Sequence, residues 1–378
     1  MKIFAYYLPQ FHKTQENDEW WGENFTEWTN IKRAKPLFNG HNQPKKPLDD
    51  NYYDLLDINV MKWQSDLARR YGISGFCVYH YWFEGKKLLH KPMEQLLEHK
   101  EIDFPFFFCW ANESWTNAWA TSKGKPKMLM KQTYGDEKDW KKHFEYLLQF
   151  FEDDRYIKLN NKPILVIYRP EMITNLNEML DYFTSLSKDA GYDGICYMSQ
   201  QNEFLLNGAE NNRFDYRIEY QPGYSEYNIS SGFNRKIHSI EEHLLRLLND
   251  KLQIPTPKIK RLLIKDYDKI WIDILHHTPI DERVVPGAFV GWDNTPRYKN
   301  NGKVITGGTP AKFYQYFREL IKKTRKQYKK NMIFIFAWNE WSEGGYLEPD
   351  DTDKYGYLEA VRNALIDEKE MIIEDSDK

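Results

Sequence analysis

Phe334-Ile-Phe-Ala-Trp-Asn-Glu-Trp-Ser-Glu-Gly-Gly345 runs from an unbroken apolar stretch into two glutamates, Glu340 and Glu343, and then into two consecutive glycines. An apolar run bounded in this way reads as a strand covered on both faces, as in parallel sheets flanked by helices. Along a strand, positions i and i+3 face opposite sides. If the backbone curls after Trp338, the two carboxylates instead share one side, about 5–6 Å apart by helical geometry. Two carboxylates at that separation, set among Trp338 and Trp341, have the layout of a site that cleaves glycosidic bonds.

Working outward, strand-like runs recur at 3–8, 75–81, 105–110, 163–168, 194–199, 216–221 and 288–292, which makes eight with 332–338. Between them, the segments 57–71, 91–99, 138–151, 176–190, 240–250 and 311–329 carry helical periodicity. Stop and start residues punctuate them, such as Thr309-Pro310 before one and Gly191 after another. Eight strands alternating with helices predict an α/β fold, a (β/α)8 TIM barrel built as a single domain over residues 1–366, with an acidic tail at 367–378. An open doubly wound sheet is the competing arrangement, but no strand leads into a glycine-rich phosphate loop. The segments 9–54 and 222–286 are long for βα loops and are expected to decorate the catalytic face. The first carries Trp20, Trp21, Phe25 and Trp28, which suits a sugar-stacking wall.

Composition points the same way. The 378 residues are 16% aromatic, with 13 Trp and 26 Tyr, more rings than a core needs. Sugar faces and nucleic-acid bases both stack on such rings. A net charge of −3 argues against a nucleic-acid partner and leaves an oligo- or polysaccharide. The basic strip 251–269 reads as a solvated insertion. Cys77, Cys109 and Cys196 sit in apolar runs without paired spacing, as core residues rather than a disulfide or zinc framework. No run reaches membrane-spanning length and the N-terminus lacks signal-peptide form, so a cytoplasmic enzyme without membrane insertion is expected. The oligomeric state is open.

In a barrel the C-terminal strand ends converge on one pocket. The candidate substrate-binding residues are therefore Tyr6, Tyr7, Gln10 and His12 after the first strand, His80 and Tyr81 after the second, and Trp110, Asn112 and Glu113 after the third. Arg169 follows the fourth, Glu219 and Tyr220 the sixth, and Trp292 and Asp293 the seventh. Asn339 and Trp341 flank the glutamates, and Trp28 comes from the first insertion. Cleaving a glycosidic bond needs an acid for the leaving oxygen and a second carboxylate for the cation-like carbon or a neighbouring hydroxyl, which makes Glu340 and Glu343 the candidate catalytic pair. The structural alternative is that one of them caps a helix or binds an arginine. His12 and His80 in aromatic surroundings are more often core residues than catalysts. A metal site from His12, His80 and Glu113 lacks a ligand spacing, and no metal or cofactor is expected.

At Trp338-Asn-Glu-Trp-Ser-Glu-Gly344 the chain resembles glycoside hydrolase family 99 and, more closely, the family 99-like lipopolysaccharide-biosynthesis glycosyltransferases (the WbsX-like proteins). The resemblance extends to Ala5-Tyr-Tyr-Leu-Pro-Gln-Phe-His12, Gly22-Glu-Asn-Phe-Thr-Glu-Trp28, Cys109-Trp-Ala-Asn-Glu113 and Gly291-Trp-Asp-Asn-Thr-Pro-Arg297, and so spans residues 1 to about 360. It implies a (β/α)8 barrel and a retaining, mannosidase-like mechanism in which Glu340 acts as base on the sugar 2-hydroxyl. A 1,2-anhydro sugar forms, while Glu343 protonates the leaving oxygen and later activates water. Family members carry a His where this chain has Ser342 and are generally exported, two departures that favour the biosynthetic branch. Two other readings stand beside hydrolysis: a glycosyltransferase of lipopolysaccharide O-antigen or capsule biosynthesis, and a non-catalytic glycan-binding barrel.

Overall fold

The computed structural model describes residues 1–117, 127–201, 212–230 and 262–372. Its main sheet is parallel and follows the chain around a ring: β1 (Lys2–Tyr7), β2 (Gly75–Phe83), β3 (Phe106–Trp110), β4 (Lys162–Ile167), β5 (Cys196–Gln201), β6 (Tyr216–Glu219), β7 and β8 (Met332–Phe336). β7 comes in two pieces, Val284–Val285 and Gly287–Phe289, separated by Pro286, which has no N–H to give the ladder. The first piece pairs with β6, Arg217 opposite Val284, and the second with β8, Gly287 opposite Phe334. The two halves of β7 thus close the ring that β8 and β1 complete from the other side, Phe4 opposite Phe334. Side chains alternate in and out along every strand. Phe4 packs edge-on against Phe107 at 5.1 Å, with Phe334 at 5.4 Å, and Tyr6, Tyr79 and Tyr220 form a layer of rings, Tyr6 lying 5.7 Å from Tyr79 and 5.2 Å from Tyr220. The interior is a packed aromatic core, as the fold requires.

Helices cover the outside: α1 (Gln15–Trp21) and α2 (Glu27–Arg33) within the first insertion, then α3 (Ile58–Arg70), α4 (Lys91–Glu98), α5 (Glu137–Phe151), α6 (Leu176–Asp189), α7 (Gly223–Ser230), α8 (Tyr267–His276), α9 (Pro310–Gln327) and α10 (Gly356–Asp367). The start signals read from the sequence operate as caps: Asp57 and Asp136 accept from backbone N–H groups opening α3 and α5, and Thr309 accepts from Lys312 ahead of Pro310. The expected helix at 240–250 lies outside the described residues. α8 falls inside 222–286, read as an insertion, and α10 follows Tyr355, which supplies no side-chain cap.

The seventh strand lies a few residues earlier than expected. Val284 and Val285 begin it, whereas Trp292–Asp293 leaves the barrel to pair antiparallel with Lys303–Thr306. Cys77, Cys109 and Cys196 are buried and unpaired. No helix among the described residues is long and apolar enough to cross a membrane.

Gly287 marks the tightest point of closure. A Cβ there would lie 1.9 Å from the Glu219 carbonyl oxygen, a backbone atom with no freedom to retreat. Gly287→Ala is expected to destabilise the fold by about 3 kcal/mol or more through overpacking, read as a lowered midpoint in urea unfolding; an unchanged midpoint would mean that the strands separate there at little cost.

Candidate active site

β8 hands the chain to a compact turn. Asn339–Glu340 pairs antiparallel with Gly345–Tyr346, and between them Trp341–Glu343 forms a single 3-10 turn. Glu340 is the last residue before that turn and Glu343 its last residue, and both line the same cavity. The curl begins after Glu340, slightly later than the sequence suggested. Both glycines that follow are required. Gly344 has φ of 63°, and a Cβ on it would meet the Asp293 backbone nitrogen at 2.8 Å. A Cβ on Gly345 would enter the Phe336 ring, 2.2 Å from its nearest carbon.

Glu340 and Glu343 line a cavity of about 340 Å³ over the C-terminal ends of the strands. Tyr79, Tyr81, Tyr168 and Tyr220 contribute its barrel side, Trp21, Asn17 and Glu27 come from the first insertion, and Trp115, Arg297 and Tyr298 complete the rim. Arg297 organises the charge. Its Nη1 donates to Glu343 at 3.1 Å, its Nη2 lies 3.0 Å from Glu27, and Ser342 donates its hydroxyl to the same Glu27 carboxylate. Glu340 is buried, and among the described residues its Oε2 has no hydrogen-bond partner. Burial, and then the charge of Glu343, pushes Glu340 well above the usual carboxylate range against the pull of Arg297. Burial raises Glu343 as well, opposed by Arg297 and Lys303. Two such carboxylates titrate as a pair and hold one proton between them over a span of pH. In the free site, the ion pair with Arg297 favours the charge on Glu343 and the proton on Glu340.

Strand alternation decides where the other candidates lie. On β1, Tyr6 faces the barrel interior beneath the cavity, while Tyr7 points outward and donates to Gln64 of α3 at 2.8 Å. On β2, Tyr81 reaches the cavity, where Gln10 donates to its hydroxyl at 2.8 Å. His80 points outward to His143 of α5, Nε2 to Nε2 2.9 Å, and burial lowers its pKa to about 3. Trp110 stacks on the same outer layer, edge-on to His143 at 4.9 Å. Tyr220 lines the cavity, but Glu219 faces away, accepting from Tyr328 at 2.8 Å and meeting His277 at 2.9 Å. His12 is fully enclosed, and burial lowers its pKa to about 4.

Two asparagines act as clasps between strand ends. Asn339 accepts from Leu8 N–H at 2.7 Å and donates to Leu8 C=O at 3.0 Å; Asn112 does the same with Arg169, at 2.7 and 2.8 Å. Glu113 lines the cavity and pairs with Arg169, which also holds Glu171. Trp341 and Trp28 lie under the turn rather than in the cavity: Trp341 donates to Glu348 at 2.6 Å and stacks on Tyr346, and Trp28 donates to the Tyr53 carbonyl at 2.8 Å. Trp292 and Asp293 line a separate cavity of about 370 Å³. There Asp293 is saturated by His41 and Gln43, each at 2.7 Å, and by Thr295.

Sequence reasoning passed over Glu27, Arg297, Tyr79, Tyr168 and Tyr298 as site residues. Tyr79 was recoverable from parity with Tyr81. Glu27 and Arg297 meet across 270 positions of chain, which no local pattern reveals. Among the described residues no group of three or more His, Cys, Asp and Glu side chains is placed to hold a metal ion.

Comparison with known proteins agrees with this geometry. The chain is 32% identical over 365 residues to the uncharacterized protein WxcX of Xanthomonas campestris pv. campestris, in each of two strains, covering 96% of this chain and 49% of the relative. It therefore spans about half the length of the curated relatives it matches. Among solved structures, a glycoside hydrolase-like protein superposes with a TM-score of 0.59 at 12% identity, over 96% of this chain and 93% of the other. The GH99 endo-alpha-mannosidase from Bacteroides thetaiotaomicron gives 0.54 at 11% identity, over 97% of both chains. These likenesses speak for the barrel. The family model described as glycosyltransferase WbsX matches residues 3–361, and the chain belongs to that family.

Proposed function

We propose that this chain is a carbohydrate-active enzyme that cleaves an α-glycosidic bond of a glycan, or transfers across it, with retention, through Glu340 and Glu343. The observation that carries the reading is the carboxylate pair itself, set at the two ends of one short turn at the mouth of the barrel, within a cavity rich in tyrosine and tryptophan. The family description and the barrel's likeness to glycoside hydrolases support it.

The chemistry needs one proton on the pair. A sugar 2-hydroxyl gives its proton to Glu340 as its oxygen bonds to the anomeric carbon, and the bond from that carbon to the leaving oxygen breaks as Glu343 protonates it. Water, or an acceptor hydroxyl, then loses a proton to Glu343 and adds to the anomeric carbon as the bond from that carbon to the 2-oxygen breaks, and the 2-oxygen recovers its proton from Glu340. The free site holds the shared proton on Glu340, so substrate entry must shift it to Glu343. Release of Arg297 from Glu343 toward Glu27 provides for that shift.

Interception by an acceptor instead of water makes the same intermediate a route to transfer. The family's description as a glycosyltransferase favours that direction in polysaccharide assembly. Mass-spectrometric product analysis on α-linked manno- and rhamno-oligosaccharides, with and without a nucleotide-sugar mixture, separates the readings. Donor-independent cleavage or transglycosylation is expected, falling by roughly 10²–10⁴ in Glu343→Gln and in Glu340→Gln. Strictly donor-dependent extension would replace the hydrolase-like mechanism, and behaviour indifferent to both substitutions would leave a glycan-binding barrel.

The raised proton affinity of Glu340 has a stability consequence. A carboxyl that holds its proton more tightly when folded weakens the fold as pH climbs from the unfolded value near 4.3 to the folded one. Glu340→Gln removes that loss. Its Tm should exceed that of wild type at pH 8, by ~1 °C for each kcal/mol regained, and the difference should shrink as pH falls toward 4. A lower Tm for the variant at pH 8 would mean that Glu340 is ionised and favourably paired.

A further inference from the structure

We infer that this chain carries an anion-binding subsite joined to its glycan pocket, placed to receive a phosphate, diphosphate or carboxylate group of the substrate. The inference rests on the reading of the neighbouring cavity as a glycan site. A second cavity, of about 820 Å³, adjoins the first and shares Trp21, Arg297 and Tyr298 with it. Its volume is ample for a diphosphate together with part of a sugar.

The lining is one-signed. Arg33 and Lys35 come from the end of α2 and just beyond it, and Lys299 directly follows the short helix Thr295–Tyr298, while among the described residues no aspartate or glutamate lines the cavity. Among the described residues none of Arg33, Lys35 and Lys299 forms an ion pair. A place in the last turn of a helix accounts for Arg33 through the helix dipole, but not for Lys35 or Lys299. Arg297 adds no free charge, being occupied by Glu27 and Glu343.

A buried donor marks the same cavity. Asn30 lines it at 8% exposure, and its Nδ2 has no hydrogen-bond partner among the described residues. A buried amide donor without an acceptor is costly, and an anionic oxygen in the cavity supplies one. Unpaired cations with a waiting amide suit an acidic oxygen cluster and give a neutral glycan no reason to prefer the place. A phosphorylated glycan and a uronate-bearing glycan present that chemistry alike.

Titration calorimetry on the full chain tests this with three probes: inorganic pyrophosphate, trigalacturonate and neutral mannotriose. At least one anion should bind, more weakly as salt rises, and about tenfold or more weakly in Lys35→Glu/Lys299→Glu. Both side chains are exposed, and circular dichroism verifies the fold. Asn30→Asp, which keeps the size and reverses the polarity of the buried amide, should weaken the same anion. Pyrophosphate binding alone identifies a phosphate-bearing group, trigalacturonate alone a uronate, and both together the shared chemistry. Failure of both anions to bind wild type, or binding indifferent to all these substitutions, overturns the subsite. Mannotriose affinity should be indifferent to the charge reversals; a tenfold loss would show that the cations serve neutral glycans and would overturn it too. Glu343→Gln should keep anion binding, so a failure of the carboxylate mechanism and a failure of the subsite read out separately.

Discussion

At Gly287 the backbone of β7 passes so close to the Glu219 carbonyl that no side chain fits between them, and the architecture above the sheet depends on that approach. Because Pro286 splits β7, one half can follow β6 and the other β8, and a single strand joins both edges of the sheet. Closure then fixes the direction in which β8 delivers the chain to its terminal turn. Gly344 and Gly345 press that turn against Asp293 and Phe336, so the carboxylates inherit their position from strand packing rather than from a flexible loop.

The charge arrangement follows from the same crowding. Glu27, Glu340 and Glu343 stand near one guanidinium, and the burial that disfavours charge on Arg297 is outweighed by these three carboxylates. Breaking such a buried set by removing one partner costs far more than the net worth of any pair in it. Beneath the turn, Glu348 accepts from Trp341, Tyr53 and Gln64, yet burial still raises its pKa to about 7. The floor of the site is therefore a polar plug, satisfied through three donors, on which the turn bearing the two carboxylates rests.

What could be read in advance was the periodicity. Apolar runs and capped amphipathic segments gave the barrel and its helices, and the Glu340–Glu343 spacing gave the pair, because both are local patterns. Parity was available and only partly used: Tyr6 and Tyr7, His80 and Tyr81, and Glu219 and Tyr220 are neighbours on strands, so one of each couple had to face away. Partnerships across the chain were out of reach. Asp293 looked like a ligand for sugar, yet it is taken up by His41 and Gln43, about 250 positions earlier. Trp28 looked like a stacking platform, but the return of Tyr53 and Trp341 encloses it.

The Asn339–Leu8 clasp joins residues 331 positions apart, and Ser342 meets Glu27 across 315. The site is thus sewn from segments more than 300 positions apart in sequence. While the ribosome is still making the middle of the chain, the first insertion has no turn to embrace and the cavity has no acid. Contacts of such separation form slowly, after the entropy of closing a long loop has been met. The candidate site is therefore completed late in folding, and a chain interrupted anywhere before Glu343 lacks the carboxylate pair on which the proposed chemistry rests.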